Sequence, residues 1–207
     1  MFRNLFGPDT PLMIAMTQIT DCMFLSMFWM AGCFPGVTVG ASTAALYDAV
    51  VRTWRRGEKN SWKRFWKTFR RNWKAGILPT IAFGFAAWML SKGMILAWNS
   101  AVYEQISWTL FASAAFVGMM LVGVLSVLFP MLSRFENTTL GLLKNTVVLA
   151  VANLPRTLIL GFVNTVCILL CFKYIVPLFF LPALTALISS LLIEPMFKPY
   201  MPDDAAE

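Results

Sequence analysis

A carboxylate within an apolar run is the first position in this sequence where chemistry could occur. Asp21 lies in the apolar stretch 13–34, and Gln18 and Thr17 precede it by about one helical turn. A charged side chain at the centre of a bilayer costs about 3 kcal/mol on insertion scales, so it requires a polar partner or a wet cavity. The three residues therefore predict an intramembrane polar site or a clamp between helices. The alternative is that the span begins later, which would leave Asp21 near the outer interface.

A turn of small and polar residues follows this stretch. Residues 34–43 read Phe-Pro-Gly-Val-Thr-Val-Gly-Ala-Ser-Thr, and the proline and glycine should stop the preceding helix. Irregular backbone at a membrane edge is stable only where protein or water satisfies its polar groups. Ser42 or Thr43 is expected to cap a second helix that reaches Arg56, and a structural role for the turn is favoured over a binding role. The motif residues of the turn are Pro35, Gly36, Thr38, Gly40, Ser42 and Thr43.

The segment 61–74 combines aromatic and basic residues in a helical pattern. Its aromatic residues fall within a wedge of about 100° at helical spacing, and its basic residues lie on the opposite side. Such a helix is typical of a segment in the membrane interface, but a docking surface for a protein partner has the same pattern. We predict a cytoplasmic helical segment over 42–74 whose second part meets lipid or a partner. The contact residues would be Trp62, Lys63, Phe65, Trp66, Lys67, Phe69, Arg70, Trp73 and Lys74.

No group of residues has the spacing of an enzyme site. The sequence has no phosphate-binding glycine loop, no cluster of carboxylates and no nucleophile beside a base. It contains no histidine, and its four cysteines have spacings that favour packing over metal binding. We predict a protein that is not an enzyme, with no catalytic residues, no metal and no cofactor. Asp48 follows Ala44 and Ala45 as in the ATPase-engaging loop of importer permeases, but the downstream phenylalanine and proline are missing, so this similarity is treated as coincidence.

Transmembrane helices are the elements that would carry these residues. Of the 207 residues 58% are hydrophobic and 13% charged, whereas soluble domains average about 45–50% and about 25%. The apolar residues form runs near the ~20 residues that a spanning helix needs. The sequence predicts an all-α polytopic membrane protein, one integral membrane domain over 1–207 with a loose tail over 198–207. Ala114 and Gly118 offer a small-residue step for close helix contact. The five predicted spans are 13–34, 76–97, 106–132, 157–172 and 175–193.

The basic residues predict the orientation. With five spans, fourteen of the 17 Lys and Arg residues lie on one side of the membrane, and basic residues favour the cytoplasmic side. The basic segment 48–75 and the C-terminus should therefore be cytoplasmic and the N-terminus outside; a sixth element near 5–16 would change only the side of the N-terminus. The net charge of +7 would raise nucleic acid as a partner of a soluble protein. Here the anionic cytoplasmic leaflet explains it, and no nucleic-acid partner is expected.

The order of these features resembles a known family. Residues 35–47 read PGVTVGASTAALY; a span with an acidic residue precedes them, and a helix with Phe65, Trp66, Phe69 and Asn72 follows. In this the sequence resembles the YesL-like family, bacterial integral membrane proteins that are classed as a domain of unknown function. The resemblance covers nearly the whole chain and implies a multi-pass protein of the bacterial inner (cytoplasmic) membrane. Genes of this family tend to lie beside those of carbohydrate ABC importers and glycan-degrading enzymes.

Three functions remain open from the sequence. The favoured one is an accessory subunit that docks on the permease subunits of a carbohydrate ABC importer. The second is a self-contained small transporter or channel, as a homo-oligomer, although Asp21 is its only charge well inside a span. The third is an assembly factor that binds anionic lipid through residues 61–74.

Overall fold

A computed structural model of the chain describes residues 11–57, 60–103, 108–134 and 139–197, and all regular structure in these ranges is helical. The all-α prediction is confirmed for them. The predicted tail 198–207 lies outside the described residues, as does part of the additional element considered near 5–16. The helices are α1 (Pro11–Cys33), α2 (Val39–Arg56), α3 (Ser61–Tyr103), α4 (Trp108–Arg134), α5 (Thr139–Ala152), α6 (Leu154–Lys173) and α7 (Leu181–Phe197), with a 3₁₀ turn at Val176–Phe179.

Three of these helices are long and apolar enough to cross a membrane. They are α3 over Ser61–Asn99, α4 and α6, and they carry most of the predicted spans 76–97, 106–132 and 157–172. The other two predicted spans, 13–34 and 175–193, fall on α1 and α7, which are not in this set. Length and composition thus support a membrane protein with three candidate spans, and the number five stays a prediction.

Helix α3 joins two elements that the sequence analysis had separated. The expected segment 42–74 is divided between α2 and α3, and α3 continues for 43 residues, about 65 Å at 1.5 Å per residue. Pro79 lies inside this helix and does not end it, although proline has no backbone N–H to donate. In the same turn, the Thr80 hydroxyl donates to the Gly76 carbonyl at 2.6 Å. Helix α2 begins at Val39, ahead of the expected caps at Ser42 or Thr43, and ends at Arg56 as predicted.

The last predicted span also differs from the structure. Pro177 lies in the 3₁₀ turn, and the following helix α7 begins only at Leu181, with Pro182 in its first turn. Proline has no N–H and is accepted where the first turn of a helix leaves that group unused, which explains why regular helix starts later than residue 175. Helix α7 then continues to Phe197, past the predicted end at 193.

Helix α2 lies at the centre of the packed core. Of residues 40–51 all are buried except the half-buried Thr43, and α2 contacts α1, α3, α4 and α7. Alanines at 41, 44, 45 and 49 have no exposed surface, so the neighbouring helices can approach its backbone closely. A helix expected on the cytoplasmic side as part of a basic segment is therefore an internal element of the bundle.

The second half of α3 and the first half of α4 form a hairpin that makes few contacts with the rest of the bundle. No residue in 81–99 or 108–117 is buried. The hairpin is held by ring contacts of Trp98 with Trp108 and Phe111, at centroid distances of 5.9 and 5.4 Å. This outer hairpin, residues 81–99 and 108–117, therefore presents large apolar side chains away from the rest of the protein. These include Ile81, Phe85, Trp88, Ile95, Leu96, Leu110, Phe116 and Val117.

Candidate functional site

A buried carboxylate ties α2 to α3. The Asp48 side chain is 1% exposed, and its Oδ1 accepts a hydrogen bond from Arg52 Nε at 2.9 Å. Its Oδ2 accepts from Arg64 Nε at 2.8 Å and from Thr68 Oγ1 at 2.7 Å. Two positive charges and a hydroxyl thus satisfy one negative charge inside the core, as a buried ion requires.

These contacts determine the protonation of Asp48. Burial alone would raise the pKa of Asp48, but the hydrogen bonds from Arg64, Thr68 and Arg52 outweigh it and hold the pKa below its usual value. The carboxylate is ionised at neutral pH and both of its oxygens are engaged, so it is suited to structure and not to proton transfer. Sequence reasoning had set Asp48 aside. The sequence did contain a signal for this ion pair: Asp48 is the one acidic residue in 39–56, and it lies four residues before Arg52.

A second ion pair joins α7 to the core. Glu194 Oε1 accepts from Arg134 Nη2 at 2.9 Å and from the Tyr47 hydroxyl at 3.1 Å. Burial and the Glu194 charge raise the pKa of Tyr47 well above its usual value, so the phenol stays a donor. Arg71 Nη2 donates to the carbonyl of Ser133 at 2.7 Å. The beginning of α3 and the ends of α4 and α7 therefore meet at one end of the molecule, here called the polar end.

The segment 61–74 has three faces in the structure. Ser61, Phe65, Thr68 and Asn72 are buried, and the Phe65 ring lies 6.1 Å from that of Phe28 on α1. The predicted aromatic wedge is thus split, because Phe65 packs inside while the three tryptophans remain 39–51% exposed. A third face carries the exposed basic side chains. The exposed residues of the two outer faces are Trp62, Trp66 and Trp73, and Lys63, Lys67, Arg70 and Lys74.

Hydrogen bonds within the chain satisfy polar groups of the motif turn at Thr38, Gly40 and Thr43. Thr38 Oγ1 donates to the Gly32 carbonyl at 2.5 Å, and Thr43 Oγ1 donates to the Val39 carbonyl at 2.7 Å. The backbone N–H of Gly40 donates to Thr80 Oγ1 at 3.1 Å. A Cβ on Gly40 would approach the Phe129 ring to 2.7 Å, so this position has room only for glycine. These contacts support the structural role of the turn.

Other motif residues contribute backbone geometry or packing. Gly36 has φ of +74°, a left-handed conformation that glycine adopts without strain, and Pro35 is exposed beside it. Ser42 is fully buried, and a Cβ added to Gly32 would contact its hydroxyl oxygen at 2.5 Å.

Among the described residues, no other helix contributes a hydrogen bond to the polar site predicted on α1. Thr17 is exposed and its hydroxyl donates to the Met13 carbonyl at 2.9 Å, within its own helix. Gln18 and Asp21 are half-buried, and among the described residues none forms a hydrogen bond or ion pair with Asp21. A role for these three residues stays a prediction.

A cavity of about 510 Å³ lies between α1, α2, α4, α6 and α7. Its lining is mostly apolar, and none of the described residues that line it is charged. Over the same described residues, no three cysteine or acidic side chains come together as a metal site would require. The polar side chains in the wall are Thr43, Tyr47, Ser126, Asn164, Thr185 and Ser189.

Helical architecture, long apolar helices and a core held by buried ion pairs define an all-helical protein of membrane type. Residues 22–93 match the family described as Protein of unknown function, DUF624. This segment contains most of α1, the motif turn, α2 and the first part of α3, and hence Asp48 with its three partners. The resemblance to the YesL-like family is confirmed over these residues, because that name is consistent with DUF624, and its extent over nearly the whole chain stays a prediction. No curated protein and no solved structure matches the chain.

Proposed function

We propose that this protein is a non-enzymatic, multi-pass protein of the bacterial cytoplasmic membrane that acts as an accessory subunit on the permease of a carbohydrate ABC importer. The observation that carries this proposal is the outer hairpin. Its two helices are long enough to cross the bilayer, yet residues 81–99 and 108–117 contribute no buried side chain to their own bundle. A hairpin that the described part of its own chain leaves uncovered is available to pack against the helices of another membrane protein.

Small residues on the outer hairpin, and Gly118 directly after it, support docking between helices. A Cβ at Gly84, Gly93 or Gly118 would meet nothing within 4 Å. Helices associate in membranes by close backbone approach at small residues, so these open positions suit a helix from a partner. Gly118 belongs to the small-residue step predicted from the sequence, and it is not used within this chain.

The proposed orientation places the polar end in the cytoplasm. Contacts of Arg71 with Ser133 and of Arg134 with Glu194 bring together segments whose basic residues the sequence assigns to one side. The positive-inside rule then favours the cytoplasm for this end. The C-terminus would follow α7 to the same side.

The choice of an importer permease as partner depends on the resemblance to the YesL-like family and on the chemistry of the cavity. A sugar needs many hydrogen bonds, whereas the cavity wall is apolar with few polar groups. The chain is therefore better suited to assist a sugar carrier than to hold the sugar itself.

The test is recovery of the partner from native membranes. The tagged protein is expressed in its host, extracted in mild detergent, and its co-purified proteins are identified by mass spectrometry. We expect stoichiometric recovery of a permease pair. Gly84→Leu should reduce this recovery about tenfold, since overpacking costs about 1–3 kcal/mol at a tight contact.

A matched control is Ala152→Leu, which enlarges an exposed small residue on α5, away from the hairpin. It should leave the recovery unchanged. Recovery of the protein alone or as a homo-oligomer, or equal recovery with both variants, would contradict the proposal and favour a self-contained transporter or a lipid-binding role.

A second candidate function, binding of anionic lipid by an assembly factor, is favoured by one surface feature. Trp62, Lys63, Trp66, Lys67 and Arg70 line a groove on α3, with Lys63 Nζ 5.7 Å from the centroid of the Trp62 ring. Exposed aromatic and basic side chains together suit an interface with acidic headgroups.

Neutralising this groove tests the lipid function. Native mass spectrometry of protein in mixed phosphatidylglycerol and phosphatidylcholine discs would count the bound anionic lipids. Changing Lys63, Lys67, Arg70 and Lys74 to glutamine should remove their enrichment. The same change at four other exposed basic residues should not, and equal loss in both would argue against a specific site. These control positions are Lys92, Lys144, Arg156 and Lys173.

A further inference from the structure

The cavity between the five helices has the size and lining of a ligand site. Its volume of about 510 Å³ lies within the range of about 300–1,000 Å³ that small-molecule sites occupy. Trp29 from α1, Leu46 from α2, and Leu125 and Phe129 from α4 supply apolar walls. Because no charged side chain lies among its described lining residues, the cavity offers no counter-charge to an ionic ligand.

One polar pair in the wall retains unused hydrogen-bonding capacity. Asn164 Nδ2 donates to the Leu160 carbonyl at 2.9 Å and to Ser189 Oγ at 3.3 Å. Among the described residues, none donates to Asn164 Oδ1 and none accepts the hydroxyl proton of Ser189. The pair therefore presents one acceptor and one donor side by side, which is the complement of a hydroxyl group.

The other polar groups in the wall already have partners for their protons. The hydroxyls of Thr43, Ser126 and Thr185 donate to carbonyls of their own helices at 2.7–2.8 Å. The Tyr47 hydroxyl donates to Glu194. The polarity available to a ligand is thus concentrated at Asn164 and Ser189, and the remaining wall is apolar.

The cavity reaches the surface among apolar residues. Phe172 lines it and is 87% exposed, at the end of α6, and Ile168 lines it and is 44% exposed. An opening framed by such side chains admits a molecule from the lipid phase more readily than one from water.

We propose that this cavity binds an uncharged amphiphile drawn from the membrane. The hydroxyl of its head group bonds to Asn164 and Ser189, and a single apolar chain packs against Trp29, Leu125 and Phe129. A charged head would lose its hydration without compensation, and a free sugar would leave most of its hydroxyls unpaired. This site is independent of the accessory role proposed above.

Photo-crosslinking in phosphatidylcholine nanodiscs tests the proposal. The probe is a monoacylglycerol with a diazirine in its acyl chain; the comparison probes are the methyl ester and the carboxylate with the same chain. We expect saturable labelling of peptides that line the cavity, and about tenfold preference for the monoacylglycerol over the methyl ester, since paired hydrogen bonds contribute about 1 kcal/mol each.

Two variants separate binding from folding. Ala186→Phe fills the cavity and should abolish saturable labelling. Asn164→Leu retains the apolar wall and should remove the preference for the hydroxyl head while the methyl ester still labels. The control Asn145→Leu makes the same change at an exposed position on α5 and should have no effect. Labelling spread evenly over the outer hairpin, equal labelling by the carboxylate probe, or an unchanged preference in Asn164→Leu would overturn the proposal.

Discussion

At the scale of single residues, Asp48 connects α2 to the first part of α3, both within the matched family segment. Its three hydrogen bonds come from α2 and α3, and its side chain is almost entirely buried. Removing one member of a buried ion pair leaves the other charges without compensation. The energetic role of Asp48 therefore differs from that of Asp21, which has no such partners among the described residues.

Asp48→Ala should strongly destabilise the protein. We expect a loss of about 3 kcal/mol in the free energy of unfolding. This is the lower end of the range of about 3–5 kcal/mol for a broken buried ion pair, because Arg52 and Arg64 are partly exposed. Denaturant titration in mixed micelles measures this loss. Asp21→Ala is the control and should change stability by less than about 0.5 kcal/mol. Equal effects of the two substitutions would contradict the structural role of Asp48.

Stability should also depend on acidic pH through Asp48. The pKa of this residue is lower in the folded protein than in an unfolded chain, where aspartate has a pKa of about 3.9. Its contribution is fully present above that unfolded value and is lost as the pH falls through the folded pKa. The melting temperature of the native protein should fall as the pH is lowered from about 5 to about 2, and Asp48→Asn should reduce this fall. An identical decline in both proteins would assign the pH dependence to other groups.

At the scale of helices, α4 and α6 cross where two glycines face each other. A Cβ on Gly123 would lie 2.5 Å from the Thr157 carbonyl oxygen, and a Cβ on Gly161 would lie 2.4 Å from that of Met119. Backbone atoms cannot move aside as a flexible side chain can, so the crossing depends on glycine. The sequence had pointed to Ala114 and Gly118 on the same helix, but Gly118 faces open space.

Gly123→Ala should separate α4 from α6. We expect a loss of about 1–3 kcal/mol in stability, as for other overpacked sites, and faster proteolysis of α6. Gly118→Ala is the matched control on the same helix, and it should be neutral or stabilising because alanine favours helix by about 1 kcal/mol over glycine. The two substitutions can be compared in one denaturation series. A larger loss for Gly118→Ala would show that the crossing lies elsewhere.

At the scale of the whole molecule, the packed core and the exposed hairpin lie in different parts of the bundle. Helix α2 is surrounded by α1, α3, α4 and α7; the ion pair of Asp48 joins α2 to α3, and the ion pair of Glu194 joins α7 to α4 at the polar end. The outer hairpin has no buried residue in 81–99 or 108–117. Lipid or a partner must therefore cover the hairpin, whereas hydrogen bonds within the chain join the helices at the polar end.

Cysteine labelling should establish the orientation of this arrangement. In a cysteine-free background, Lys173→Cys should react with an impermeant maleimide on intact cells, because Lys173 is exposed as the last residue of α6, at the end that the proposed orientation places outside. Lys67→Cys, exposed on α3 near the polar end, should react only after the cells are permeabilised. The reverse pattern would invert the proposed topology.

The sequence by itself determined the helical class and several helix boundaries. Apolar runs and helical spacing are local properties, so they predicted an all-helical protein of membrane type and the end of α2 at Arg56. Proline and glycine likewise predicted the end of the first helix at residues 34–36, and α1 ends at Cys33. The resemblance at 35–47 was also readable, because it depends on residue order alone.

Only the tertiary structure decided which faces of the helices meet. Asp48 bonds to Arg64 sixteen residues away, and Tyr47 bonds to Glu194 147 residues away. A helical period shows that a face is apolar or basic but not which neighbour covers it. Spacing alone therefore could not predict the burial of Phe65, the Gly123–Gly161 crossing or the cavity beside Asn164. Each of them depends on how separate helices pack together.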